Sequence, residues 1–114
     1  MMGMTDSDKL DAVFSALAHP ARRAILTQLM EGKATVNTLA EPFDMSLPAV
    51  SKHIKVLEDA GLISRERDAQ FRHCVLEPLP LKEVASWTDQ YRYIWEARFD
   101  VMGTLLQNLK GSDQ

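Results

Sequence analysis

A mostly α-helical fold, about five helices with one two-stranded hairpin, is what this 114-residue sequence predicts. Three features carry the prediction. Apolar residues recur at three-to-four spacing in five separate segments, prolines and glycines punctuate the junctions between them, and only residues 62–76 read as two short strands around a turn. With 46% hydrophobic and 25% charged residues, the composition suits one globular domain spanning 1–114. No apolar run approaches the ~20 residues of a membrane span, so no membrane association is expected. Asp6, Asp8 and Asp11 near the N-terminus, without a basic-then-apolar pattern, argue against a secretory signal. The single cysteine, Cys74, has no internal disulfide partner, which fits a reducing cytoplasm.

Residues 1–6 show no periodicity and are expected to be disordered. From about Ser7, Leu10, Val13, Phe14, Leu17 and Ala18 give a first amphipathic helix. His19-Pro20 interrupts it, because proline drives its predecessor out of the helical region, and Pro20 then suits the first turn of a second helix. Ala24, Ile25, Leu26, Leu29 and Met30 form the predicted buried stripe of that helix, and Gly32 ends it. Arg22 and Arg23 near its start oppose the helix dipole, so a phosphate or an acidic neighbour is expected to reward them.

Thr35 caps a third helix with Val36, Leu39 and Ala40 inward, and Pro42 soon closes it. Ser46 caps a fourth, on which Leu47, Val50, Ile54 and Leu57 share a core-facing side. Pro48, Lys52, Lys55 and Asp59 lie opposite, with Ala49, Ser51 and His53 on the flanks. After Gly61, the runs 62–67 and 71–76 flank Asp68-Ala69-Gln70, a turn that lacks the glycine of a strong hairpin signal. Pro78 and Pro80 precede a last helix over Leu81 to Leu109, which would be about 43 Å long and forms most of a C-terminal segment 81–110 expected to serve dimerisation. Val84, Trp87, Tyr91, Ile94 or Trp95, Met102, Leu105 and Leu109 stripe it. Left bare, that stripe would be a large apolar patch, so pairing with a second copy is expected, assisted by Leu10, Val13 and Phe14 of the first helix. A cofactor box of Trp87, Tyr91 and Trp95 is the weaker reading, since aromatic stripes are mostly core or interface.

A short helix, a tight turn, a longer helix and a hairpin form a winged helix-turn-helix, the arrangement that lays one helix across a DNA backbone and the next in the major groove. Net charge is -3, yet residues 46–76 hold five cations (Lys52, Lys55, Arg65, Arg67, Arg72) against four carboxylates, making them the one net-positive region. Ser46, Pro48, Ala49, Ser51, Lys52 and His53 are therefore expected to face bases or nearby phosphates of double-stranded DNA. Lys55 and the hairpin's Arg65, Arg67 and Arg72 are expected to contact phosphate. The rival is a winged helix used to hold another protein, which the acidic net charge favours and the Ser/Lys/His face disfavours.

Two stretches carry a resemblance. Ala16-Leu17-Ala18-His19-Pro20-Ala21-Arg22-Arg23-Ala24-Ile25-Leu26 resembles the opening signature of ArsR-type winged-helix repressors. Ser51-Lys52-His53-Ile54-Lys55-Val56-Leu57-Glu58-Asp59-Ala60-Gly61-Leu62-Ile63 looks like their recognition helix running into the wing. The resemblance implies a cytoplasmic homodimer, joined through its first and last helices, that binds an imperfect promoter palindrome and regulates transcription, as a repressor. It names no effector.

Two departures qualify it. Metal-sensing members use a Cys-x-Cys pair on the third helix, or His with Asp/Glu on the last. Here the third helix has neither Cys nor His, and Asp89, Glu96 and Asp100 of the last helix lack nitrogen or sulfur partners. His19, His53 and His73 fall on a loop, a helix and a strand, so neither a metal nor another cofactor is expected. Many relatives also carry Gly-Arg at the wing tip, where Ala69-Gln70 stands here. Cys74 reads as a small apolar filler; a redox role would instead make peroxide weaken DNA binding. No Ser/His/Asp arrangement or phosphate-cradling glycine loop suggests an enzyme.

Overall fold

The computed structural model describes residues 5–112, with side chains to Leu109. Most of the segment expected to be disordered, residues 1–4, lies outside the described residues. Six helices and one antiparallel hairpin follow in the order α1 (Asp6–Leu17), α2 (Pro20–Leu29), α3 (Val36–Ala40), α4 (Leu47–Asp59), β1 (Ile63–Asp68), β2 (Phe71–Leu76), α5 (Leu79–Asp89) and α6 (Arg92–Ser112). The chain, read above as one domain, separates into two compact units, one ending at Val84 and the other beginning at Ala85.

In the first unit, the starts of α1 to α4 each carry a cap that satisfies otherwise orphaned N–H groups. Thr5 and Asp8 form a reciprocal capping box that begins α1 at Asp6. His19 caps α2 through its ring, Nδ1 accepting from the Ala21 N–H at 3.0 Å. Thr35 and Ser46 accept from the N–H groups of Thr38 and Ala49. At the end of α4, Gly61 adopts φ 80°, which lets the Leu62 N–H reach back to the Leu57 carbonyl at 2.9 Å. Leu57 and Leu62 are both fully buried, so the reversal is sealed by apolar contact.

The core gathers Val13 and Ala16 of α1, Ile25, Leu26 and Leu29 of α2, and Leu39 of α3. Val50, Ile54 and Leu57 of α4, Leu62, Ile63 and Cys74 complete it. Three expected core residues stand outside: Ala24 is exposed, Met30 is 74% exposed and Leu47 46%. Ala24 and Met30 lie at the margins of the α2 stripe. Around the start of α4, half-buried Phe43 and Met45 from the preceding turn pack against the core, while Leu47 does not.

The hairpin pairs Ile63 with Leu76 through to Asp68 with Phe71, so its loop is Ala69-Gln70. Ala69 sits at φ 57°, a left-handed conformation that costs a non-glycine residue roughly 1–2 kcal/mol. Ala34 bonds to Cys74 through both backbone groups, at 3.1 and 2.7 Å, which ties the α2–α3 connection to β2. Lys33 then reaches Glu66 and Asp68 of β1, each at 3.1 Å.

The expected single helix over Leu81–Leu109 is instead α5 and α6, with a break at Gln90-Tyr91. Side chains in the second unit compete there with the helical ladder. The Thr88 hydroxyl donates to the Ala85 carbonyl at 3.0 Å, and the Gln90 amide to the Trp87 carbonyl at 2.8 Å. The Tyr91 N–H takes the tighter bond to the Thr88 carbonyl. Arg92 spans the break, pairing with Asp89 at 2.8 Å and Glu96 at 3.8 Å. Every residue from 85 to 109 is exposed. On α6, Ile94, Trp95, Phe99, Val101, Met102, Leu105, Leu106 and Leu109 share a broad face at helical spacing.

Candidate nucleic-acid interface

α4 is anchored on one side by Val50, Ile54 and Leu57, all at 0% exposure, and that fixes what its other side presents. Ser46, Pro48, Lys52 and Lys55 are exposed, and Ala49 and Ser51 half-exposed, as the helical spacing predicts. Lys55 pairs with Asp59 one turn on, at 2.9 Å, and the hydrogen bond pushes its pKa above the usual lysine value. Both side chains are largely solvated, so the pair is weak and readily exchanged for a phosphate. Lys52 has no ion pair among the described residues.

His53 does not share that outward aspect. Its ring lies 4.3 Å from that of His19, centroid to centroid, and its Nδ1 is 3.4 Å from the Arg22 guanidinium. Because His53 Nδ1 receives the guanidinium N–H, the arrangement fits a neutral ring. Burial, then His19 and Arg22, hold its pKa below the usual histidine value. The expectation that His53 faces bases is corrected accordingly: its ring points towards the α1–α2 corner.

Neither Arg22 nor Arg23 pairs with a carboxylate among the described residues. Arg22 donates to the carbonyls of Ala16 at 2.7 Å and Ser15 at 3.1 Å, and Arg23 to that of Leu17 at 2.7 Å. Both guanidinium groups therefore cap the negative end of α1, which offsets their poor placement at the start of α2. Sequence reasoning missed this. The two signature stretches noted above meet through Arg22 and His53, which only the folded chain reveals.

On the wing, Arg65 is drawn inward, 22% exposed and 3.6 Å from Glu58 of α4, with its Nε shielded from solvent. That contact ties the wing to α4 and leaves Arg65 less accessible than Arg67 and Arg72. Arg67 and Arg72 stand directly opposite each other across the hairpin, both exposed. Like charges at such a pair repel, and no ion pair relieves them among the described residues. An anion between or above them would remove that cost. Cys74, opposite Arg65, is fully buried, and burial pushes its thiol pKa up, as befits an inert filler.

Of the residues expected at a dimer interface, Val13 is 2% exposed and belongs to the chain's own core, a correction explained by its contacts within the first unit. Leu10 is half-buried and Phe14 36% exposed. Trp87, Tyr91, Ile94, Trp95, Met102, Leu105 and Leu109 are all exposed. Trp87 and Tyr91 pack edge to face at 5.3 Å. No three potential metal ligands gather among the described residues.

Comparison with known proteins places this geometry among regulators. The family model for a helix-turn-helix domain matches residues 17–66, from the end of α1 into β1. The transcriptional repressor SdpR of Bacillus subtilis is 36% identical over 78 residues, covering 68% of this chain and 87% of its own length. A crystal structure described as an ArsR family transcriptional regulator is 44% identical, with TM-score 0.70, and covers 77% of this chain and 97% of that one. The homodimeric winged helix-turn-helix DNA-binding domain of Mb0332 from Mycobacterium bovis, at 24% identity and TM-score 0.60, shares the fold. That likeness covers 81% of this chain and 95% of the other.

Proposed function

Since this chain belongs to the ArsR family of winged helix-turn-helix transcriptional regulators, we propose that it represses transcription as a homodimer seated on a promoter palindrome. The observation that carries the reading is the outward face of α4. Ser46, Pro48, Lys52 and Lys55 are exposed on a helix whose other side is locked into the core, and Lys52 is free of any ion pair among the described residues. Small and basic side chains there let the helix approach base edges closely. Ser51 and Lys52 supply hydrogen bonds to bases, while Lys55, Arg67 and Arg72 hold phosphates on either side.

One recognition helix covers one half-site, so a palindrome needs two copies with their α4 helices about 34 Å apart. The exposed apolar face of α6 is proposed to pair with a second copy, and Leu10 and Phe14 of α1, partly exposed in the first unit, are proposed as further contacts. The similarity to SdpR, a transcriptional repressor, supports repression over activation. No helix among the described residues is long and apolar enough to cross a membrane, and a cytoplasmic regulator fits that fact.

A gel-shift titration against the protein's own upstream DNA tests the proposal. A discrete retarded band that competitor DNA of unrelated sequence fails to displace is expected, and its affinity should drop steeply with added salt. Absence of any band at low salt would sink the reading and favour a winged helix that holds another protein.

A further inference from the structure

Leu47 opens α4 and is 46% exposed, although its spacing from Val50, Ile54 and Leu57 would place it near the core. The half-buried turn residues Phe43 and Met45 pack against that core. Pro48 follows it and is also exposed. The leading turn of the reading helix thus offers solvent an isobutyl group and a pyrrolidine ring.

The same turn is poor in hydrogen-bond donors. Pro48 has no N–H, the Ala49 N–H is taken by the Ser46 hydroxyl at 3.3 Å, and the Val50 N–H by the Ser46 carbonyl at 3.1 Å. A helix start normally holds anions with several such groups. Here the Leu47 N–H is the turn's remaining donor, so the tip suits an apolar contact better than a phosphate. In a recognition helix it is the N-terminal residues that meet base edges. The apolar feature of the major groove is the C5-methyl group of thymine.

From the exposed Leu47-Pro48 tip of α4 we infer that Leu47 is a specificity-determining residue that contacts the C5-methyl of a thymine in each half-site. The inference rests on the DNA-binding reading above and adds a base and an atom to it. The contact removes from water both a thymine methyl and the exposed part of a leucine, two apolar surfaces with no better partner in solution.

The test uses duplexes recovered by selection from random-sequence DNA with the intact protein, resynthesised with each half-site thymine replaced in turn by uracil. That exchange deletes the methyl and leaves every hydrogen-bonding atom in place. At one position per half-site, uracil should weaken wild-type binding about fivefold, which corresponds to ~1 kcal/mol. Leu47→Ala should bind the thymine duplex about fivefold more weakly and show no further loss on the uracil duplex. Leu47 is exposed, so the unfolding midpoint of Leu47→Ala should stay close to wild type. Equal wild-type binding to thymine and uracil at every position overturns the inference, as does a uracil penalty that persists in Leu47→Ala. In both cases the DNA-binding reading survives, because selection itself succeeded. Recovery of no preferred sequence overturns that reading, and the inference with it.

Discussion

The residues before Val84 and those after it solve the same physical problem in opposite ways. In the first unit three helices and the wing surround α4, and its apolar stripe ends in a core where eight large side chains lie below 2% exposure. In the second, every described side chain from 85 to 109 remains exposed, although the sequence there is just as regularly apolar. Amphipathic periodicity therefore dictates a helix in both but a buried face only where the same chain supplies the cover. A helix with so broad an apolar face draws little stability from propensity alone and depends on what it packs against. The first unit is specified by its own sequence. The second leaves its apolar face exposed, and a second copy of the chain is the cover proposed here.

The sharpest way to break that contrast is to damage each unit in turn. Ile54→Ala should lower unfolding stability by about 2–5 kcal/mol, since it opens a cavity at a fully buried site. Urea melts would show the loss at every protein concentration, because the contacts removed lie within one chain. Met102→Glu, at a side chain 55% exposed, should instead leave the first unit intact. It should raise the dimer dissociation constant at least about a hundredfold, ~2.7 kcal/mol, in sedimentation equilibrium. An unchanged dimer in Met102→Glu would remove α6 from the interface and end the contrast as drawn.

Legibility in the sequence follows the same division. Caps and breaks are local chemistry, so Thr35, Ser46, Pro20 and Gly61 mark their elements correctly. The core-facing stripe of α4 is equally plain in Val50, Ile54 and Leu57. What failed needed knowledge of neighbours. Leu47 stays exposed while Phe43 and Met45 pack against the core, which no wheel drawn on α4 alone reveals. His53 lies on a flank of the wheel, and only the folded corner with His19 and Arg22 decides which way the ring turns. The break at Gln90-Tyr91 depends on Thr88 and Gln90 side chains bonding to carbonyls of their own helix, a contest that apolar spacing does not register.

Within the reading unit, the outward face can be separated from the scaffold beneath it. Lys52→Ala should weaken operator binding by about 1–3 kcal/mol and alter base preference at one position, if the ammonium reads a base. Arg67→Ala should instead weaken binding to all sequences alike and reduce the slope of log affinity against log salt by about one. Fluorescence anisotropy across a salt series on operator and scrambled duplexes distinguishes the two outcomes. Identical behaviour of the two variants would mean that Lys52 touches only phosphate.

The smallest expected effect probes the corner where the two signature stretches meet. His53 faces His19 and Arg22, with no carboxylate among the groups that shift its titration, and its pKa lies below the ordinary histidine value near 6.5. The unfolded chain therefore takes up a proton on acidification before the folded one does. Stability contributed by the neutral ring is complete above the unfolded pKa and declines as pH falls from there towards the lower folded value. The decline should level off once the folded ring is itself protonated, at which point the contact with Arg22 is lost. Thermal melts of His53→Gln should flatten in that window, since the amide retains an acceptor for Arg22 but does not titrate. If His53→Gln instead retains the full pH dependence, the ring does not titrate against Arg22, and the corner holds α4 by packing alone.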